Sequence, residues 1–237
     1  MAAIVLSGSG GHAQIRDYET CLDLAAEAPA KAEVAAVEWA AAGGGPAAAH
    51  CHAMALIGLG AEERAATELV RLAAEAVDLP GQARSEIYLQ AGGLLLALGD
   101  LDAGMAAANR ALDLAANPAP ALELRAQFHA ERQNWQAALS DLDRALSEGG
   151  AEPGRLVLRA SAKRALGRML AARDDLIWAL ELAPELPEAW LELGTVEAAI
   201  NDPDAARAAW LETIRLAPDD PLAKAARARL HSLEAAE

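Results

Sequence analysis

Pro187-Glu-Ala-Trp190-Leu-Glu-Leu193-Gly194 sets an aromatic residue, a leucine and a glycine at helical spacing, and the pattern returns upstream. Stepping back 34 residues at a time brings three further segments into register, beginning at Pro153, Ala119 and Ser85. With the first residue of each segment as position 1, position 8 reads Gly92, Ala126, Ala160, Gly194. Position 20 reads Gly104, Ala138, Ala172, Ala206, and position 27 reads Ala111, Ala145, Ala179, Thr213. Self-similarity at a fixed period marks a repeat architecture. A column of small residues has a steric cause: two antiparallel helices cross closely only where the side chains between them are tiny. Positions 14–16 read Leu98-Gly99-Asp100, Arg132-Gln133-Asn134, Leu166-Gly167-Arg168 and Ile200-Asn201-Asp202. Glycine or asparagine there supplies the left-handed residue that ends one helix before the next begins. Each unit therefore predicts helix–turn–helix, with roughly 14 residues per helix. Pro187, Pro203 and Pro221 fall in first turns, where a missing N–H costs nothing.

Composition agrees. The chain has 237 residues, 54% hydrophobic and only 3% aromatic, and its abundant alanine, leucine, glutamate and arginine favour helix over strand. An all-α fold follows, stabilised by many small helix contacts rather than one aromatic-rich core. The net charge of −15 excludes a nucleic-acid wrapping surface, which needs a basic footprint. No window reaches the run of about 18 apolar residues that a membrane span requires.

The repeats resemble the tetratricopeptide repeat (TPR) family. Its pattern is carried most fully by the last unit, in Trp190, Leu193, Gly194, Ala206, Trp210 and Pro218. Glu197 stands where a tyrosine is usual and Thr213 where an alanine is; Gly104 departs at position 20, and Gly149-Gly150 replaces a terminal proline. The resemblance implies a right-handed superhelix of stacked antiparallel helix pairs, with repeats at 85–118, 119–152, 153–186 and 187–220. Residues 221–237 would form a capping helix. Residues 14–84 read as divergent TPR-like pairs: Ile15–Glu27 with Pro29–Ala42, then Pro46 through Gly60 to Val77. The second of these pairs runs on to Arg84, with Pro80-Gly81 marking an extra loop. Thirteen helices are expected in a single domain. Residues 1–13 read as a flexible N-terminus or the remnant of an export signal, since Met1-Ala-Ala-Ile-Val-Leu is apolar but lacks a basic flank.

No catalytic constellation emerges. Neither Gly-rich phosphate motif is present, and no cofactor is implied. His50-Cys51-His52 invites a metal reading, but helical residues two apart point about 200° away from each other, so no metal site is assigned. Cys21 or Cys51 beside a histidine would lack an oxyanion hole and an orienting group. The two cysteines are either small buried thiols or one disulfide between the first and third helices. A bridge would stabilise by about 3 kcal/mol and favour a periplasmic or otherwise exported location over a cytoplasmic one.

The resemblance points instead to a binding groove, because in TPR arrays positions 2, 5, 9, 12 and 13 of each first helix face the ligand. Here those columns give Leu89, Gly93 and Leu96; Glu123 and Gln127; Val157, Ser161 and Arg164; and Leu191 and Thr195. The looser upstream unit adds His50, Met54 and Ile57. With Leu89, Gly93 and Val157 at the places where family members that grip a C-terminal carboxylate carry cations, such a clamp is not expected. A mainly apolar groove suits a peptide or amphipathic helix of a protein partner on a non-enzymatic scaffold. The alternative is an envelope protein carrying an apolar small molecule or lipid. The competing structural reading is that Leu89, Leu96 and Val157 simply pack against neighbours. Trp190 and Trp210 occupy core positions, and Trp135 and Trp178 are expected to pack on second helices.

Overall fold

The computed structural model describes residues 17–235, so the expectations for residues 1–13, and the start of the first helix at Ile15, lie outside the described residues. Among the described residues there are thirteen helices and no strand. They are α1 (Tyr18–Glu27), α2 (Pro29–Ala41), α3 (Gly45–Gly58), α4 (Glu62–Glu75), α5 (Gly81–Leu98), α6 (Leu101–Leu114), α7 (Ala119–Glu131), α8 (Trp135–Gly149), α9 (Pro153–Ala165), α10 (Met169–Leu182), α11 (Pro187–Ala199), α12 (Pro203–Leu216) and α13 (Pro221–Glu234). Where the sequence suggests one domain, the chain forms two compact units that meet at Pro80 and Gly81.

In the second unit α5–α6, α7–α8, α9–α10 and α11–α12 are antiparallel pairs. Each second helix also touches the next first helix, and the first helices α5, α7, α9, α11 and α13 contact one another in series. All twelve residues of the three small columns are buried. The departures from alanine have visible causes. A Cβ on Gly92 would come within 2.5 Å of Leu124 Cδ2, and one on Gly104 would overlap the Phe128 ring. Gly194 lies against the Trp210 indole in the same way. Large side chains arriving from a neighbouring helix have taken the volume that a methyl would need.

The four turns share one hydrogen-bond pattern. The N–H of Asp100, Asn134, Arg168 and Asp202 donates to the carbonyl five residues earlier, at 2.8–2.9 Å. The preceding residue holds a positive φ: Gly99 +74°, Gln133 +57°, Gly167 +76° and Asn201 +67°. This is the Schellman closure, which satisfies the last carbonyls of the first helix. In the second repeat the left-handed position falls on Gln133, not on the neighbouring Asn134. Asp100 and Asp202 then cap the second helices, accepting from Ala103 N at 3.1 Å and Ala205 N at 3.0 Å.

A charged ladder joins adjacent repeats. Arg125, at position 7, grips Asp141 at position 23 of its own repeat with two bonds of 2.7 Å, and donates to Asn109 of the repeat before at 3.1 Å. Arg159 repeats the arrangement 34 residues on, donating to Asp175 at 2.8 and 2.6 Å and to Asp143 at 3.0 Å. In the last repeat the equivalent residues are Leu193, Ala209 and Ile177, so the triad switches as a set from charged to apolar.

The junction from Ala76 to Arg84 corrects the expected long loop. Gly81–Arg84 belong to α5, which starts a turn before Ser85, and Gln82 Oε1 accepts from Ala116 N at 2.9 Å, tying down the end of α6.

The first unit packs α1, α2, α3 and α4, with α1 against both α2 and α3. A disulfide joins Cys21 of α1 to Cys51 of α3, with Cα atoms 6.0 Å apart, and Ala36 and Trp39 of α2 close over it. Trp190 and Trp210 are packed as expected, whereas Trp178 is exposed on α10 rather than buried on a neighbour.

Candidate functional site

The expected binding columns divide into three groups. The first is spent on the fold. Leu89 and Leu96 pack against Ala108, Leu124 and Phe128, and Val157 packs on the cluster around Leu156 and Leu176. Leu191 packs on Ala206 and Trp210, and Thr195 donates its hydroxyl to Leu191 O at 2.9 Å. Upstream, Met54 packs against Ala25 and Ala32, and Ile57 is half-buried. His50 is buried and its Nδ1 is 2.8 Å from the Tyr18 hydroxyl, so it locks α3 to α1. Its neighbour His52 pairs with Glu68 on α4, Nδ1 to Oε2 at 2.7 Å. The two histidines serve separate contacts, as their helical spacing implies.

The second group is already paired. Ser161 and Arg164, on α9, both donate to Oε1 of Glu192 on α11, at 3.0 and 2.6 Å. They join two first helices and leave little cationic character for an incoming anion. Gly93 stands alone in a third way: it is exposed, with nothing within 4 Å of where a Cβ would sit.

The third group, Glu123 and Gln127, belongs to a site whose wall Leu89 also lines. Leu89 from α5, Pro120, Glu123, Leu124 and Gln127 from α7, and Glu152 and Arg155 at the start of α9 surround an open cleft of about 440 Å³. It crosses three consecutive first helices. Arg155 is buried beneath it, donating Nε to Glu123 Oε2 at 3.2 Å and Nη1 to the Gly150 carbonyl at 2.9 Å. Glu152 is the N-cap of α9, with Oε2 accepting from the Arg155 N–H at 3.0 Å. Burial pushes the Glu123 carboxyl above its ordinary pKa; Arg155 pulls it back and Glu152 pushes it further up. Because Arg155 is committed to Glu123 and Gly150, the cleft offers mainly acceptors and an apolar wall. It can receive N–H donors and aliphatic side chains.

Glu152, Arg155 and Glu192 were not among the residues expected from sequence. Arg155 occupies position 3, outside the columns carried over from the family. Glu152 before Pro153 does carry a legible signal, that of a capping acid ahead of a first-turn proline. The cleft is correspondingly more polar than the columns alone imply.

For catalysis the inventory is short. Cys21 and Cys51 are bonded to each other and offer no thiol nucleophile. Among the described residues no three His, Cys, Asp or Glu side chains gather as a metal site, and no helix is long and apolar enough to cross a membrane.

Comparison with known proteins agrees with this architecture. Residues 85–118, the α5–α6 pair, match the tetratricopeptide repeat family model. No curated protein sequence matches the chain. Among solved structures, the chain superposes on the APC/C hetero-tetramer Cut9-Hcn1 with a TM-score of 0.71 at 15% identity, covering 92% of this chain and 43% of that one. It thus spans less than half of that relative's length. The C-terminal part of a TPR repeat-containing protein from Cytophaga hutchinsonii gives 0.65 at 15% identity over 85% of this chain and 80% of its own. YrrB, described as a TPR protein with an unusual peptide-binding site, gives 0.55 at 17% identity over 76% and 90%. At these identities the likeness is one of fold. The chain thus carries a tetratricopeptide repeat at residues 85–118, three more segments in the same 34-residue register, and the fold of tetratricopeptide repeat structures.

Proposed function

We propose that the chain is a non-enzymatic interaction scaffold that holds an extended or helical segment of a partner protein across α5, α7 and α9. One observation carries this reading: a cleft of about 440 Å³ spans three successive first helices, with an apolar wall and uncommitted acceptor capacity on Glu123, Glu152 and Gln127. Backbone N–H groups and aliphatic side chains of a peptide complement that lining. The peptide-binding site named for YrrB is consistent with such use of the fold. A lipid ligand is disfavoured, because its chain would desolvate two carboxylates and Arg155 without replacing their hydrogen bonds. The Cys21–Cys51 disulfide supports an exported location, since such bonds persist in oxidising compartments.

The test places a photo-crosslinking amino acid at Gln127 and, separately, at Glu148 on α8, and irradiates the protein in extract of its source cells. The reading expects one protein crosslinked from Gln127 and not from Glu148, its capture abolished by Glu123→Lys in the same chain. Identical crosslink patterns from the two positions would refute it.

A further inference from the structure

A second cavity, away from the cleft, lies along α13. Pro221 stands 34 residues after Pro187, so α13 is in register as the first helix of a fifth unit, and Ala228 holds its position 8. In the four repeats before it, position 8 is buried, against the repeat's own second helix at Ala126, Ala160 and Gly194 and against Leu124 of α7 at Gly92. On α13, Ala228 is exposed. Beside it an open groove of about 520 Å³ is lined by Ala198, Trp210, Ala225, Ala228, Arg229 and Leu233. The groove has the small crossing residue that a packed helix needs, with an indole and a leucine beside it.

Two helices are basic, α9 and α13, and the α9 cations Arg155, Arg159, Lys163 and Arg164 are already paired with Glu123, Asp175 and Glu192. Lys224, Arg227, Arg229 and His231 cluster on α13 against a single carboxylate, Glu234, in a chain whose net charge is −15. Arg227 is partly engaged, donating to the Pro218 carbonyl at 3.1 Å. An acidic helix would meet complementary charge here and repulsion over most of the remaining surface, which fixes where it lands. A second copy of the chain would bring its own negative field, and the two would repel.

We propose that this face docks an acidic amphipathic helix of a partner protein, laid on α13 as each second helix lies on its first. The occupant has small and branched aliphatic residues towards Ala228, Trp210 and Leu233, with glutamates or aspartates flanking them opposite Lys224 and Arg229. This site is independent of the α5–α7–α9 cleft.

The experiment uses the full chain and a stapled, fluorescein-labelled peptide with the sequence of α4, Glu62–Glu75. That segment carries four glutamates and two arginines around the face Ala65, Ala66, Leu69, Leu72 and Ala73. Fluorescence anisotropy measures binding of this probe and of a control in which the glutamates are lysines. The expected result is saturable binding of the acidic probe only, weakened at least about tenfold, or about 1.4 kcal/mol, by either Arg229→Glu or Ala228→Gln. Arg110→Glu, on the exposed face of α6, should leave it unchanged, and circular dichroism should show that all variants fold. No binding up to about 1 mM, equal binding of the basic probe, or equal weakening by Arg110→Glu would overturn the proposal. So would sedimentation velocity showing a dimer of the chain alone that Arg229→Glu dissolves, because the face would then belong to a second copy.

Discussion

Removing the carboxylate of Asp175 probes how the repeats are joined. Its side chain is 5% exposed and accepts from Arg159 at 2.6 and 2.8 Å, with Lys163 Nζ at 2.7 Å. Asp175→Ala would leave two cations, 17% and 16% exposed, facing each other with only Asp143 to compensate one of them. Breaking a buried pair from one side costs about 3–5 kcal/mol, and the residual Asp143 contact places this variant near about 3 kcal/mol. The double variant Arg159→Leu/Asp175→Ala reproduces the apolar pair that the next repeat already uses at Leu193 and Ala209. Replacing a buried ion pair with packed apolar residues is often neutral, and with Arg159 gone the flexible Lys163 stem can turn its ammonium to water, so the double variant should lie within about 1 kcal/mol of the parent. The coupling between the two substitutions would then exceed about 2 kcal/mol. Urea titration followed by far-UV circular dichroism reads both, and with m near about 3 kcal/mol/M the single variant lowers the midpoint by about 1 M. A loss below about 1 kcal/mol for Asp175→Ala, or a double variant as unstable as the single, would show that the ladder is a surface ornament.

Three further outcomes follow from local geometry. Gln133→Gly should stabilise the chain by about 0.5–1 kcal/mol in the same titration, because only glycine takes a φ of +57° without crowding its Cβ. Glu123 has a folded-state pKa raised by burial, so it favours the fold while protonated, below its ordinary value, and this contribution is lost as pH rises through the raised pKa. Glu123→Gln should therefore be at least as stable as the parent at neutral pH, the difference vanishing below about pH 4; lower stability at pH 7 would contradict the burial argument. Thiol titration of denatured, unreduced protein should find no free thiol, and reduction should destabilise the α1–α3 pairing by about 3 kcal/mol, as expected for a loop closed across 30 residues.

The fold was legible because its cause is periodic. A crossing that admits nothing larger than a methyl leaves the same mark at Gly92, Ala126, Ala160 and Gly194, and the columns at positions 20 and 27 repeat it in the same register. Boundaries were legible where prolines open helices, as at Pro153, Pro187 and Pro203, and less so at Gly81–Arg84, whose helical turn looks like loop because glycine follows proline. The site was only half legible. Glu123 and Gln127 line the cleft, Glu123 with one oxygen on Arg155, whereas Ser161 and Arg164, from the same set of columns, are taken by Glu192. That choice depends on which carboxylate a neighbouring helix brings within reach, information that sits 28 to 31 residues away in sequence. Arg155 was hidden for the same reason: its partners, Glu123 and the Gly150 carbonyl, come from opposite ends of the preceding repeat. Gln133 illustrates a third limit, since the turn geometry is imposed by the helices on either side and overrides the preference for Asn134.

The most direct measurement compares Ala172→Leu with Ala208→Leu. Ala172 is completely buried in a small column, and Ala208 lies exposed on α12, so both changes add the same atoms to a helix. If close crossing at tiny side chains builds this stack, Ala172→Leu should lower unfolding free energy by about 1–3 kcal/mol or more through overpacking, while Ala208→Leu stays within about 0.5 kcal/mol of the parent. Equal tolerance of the two leucines would contradict it.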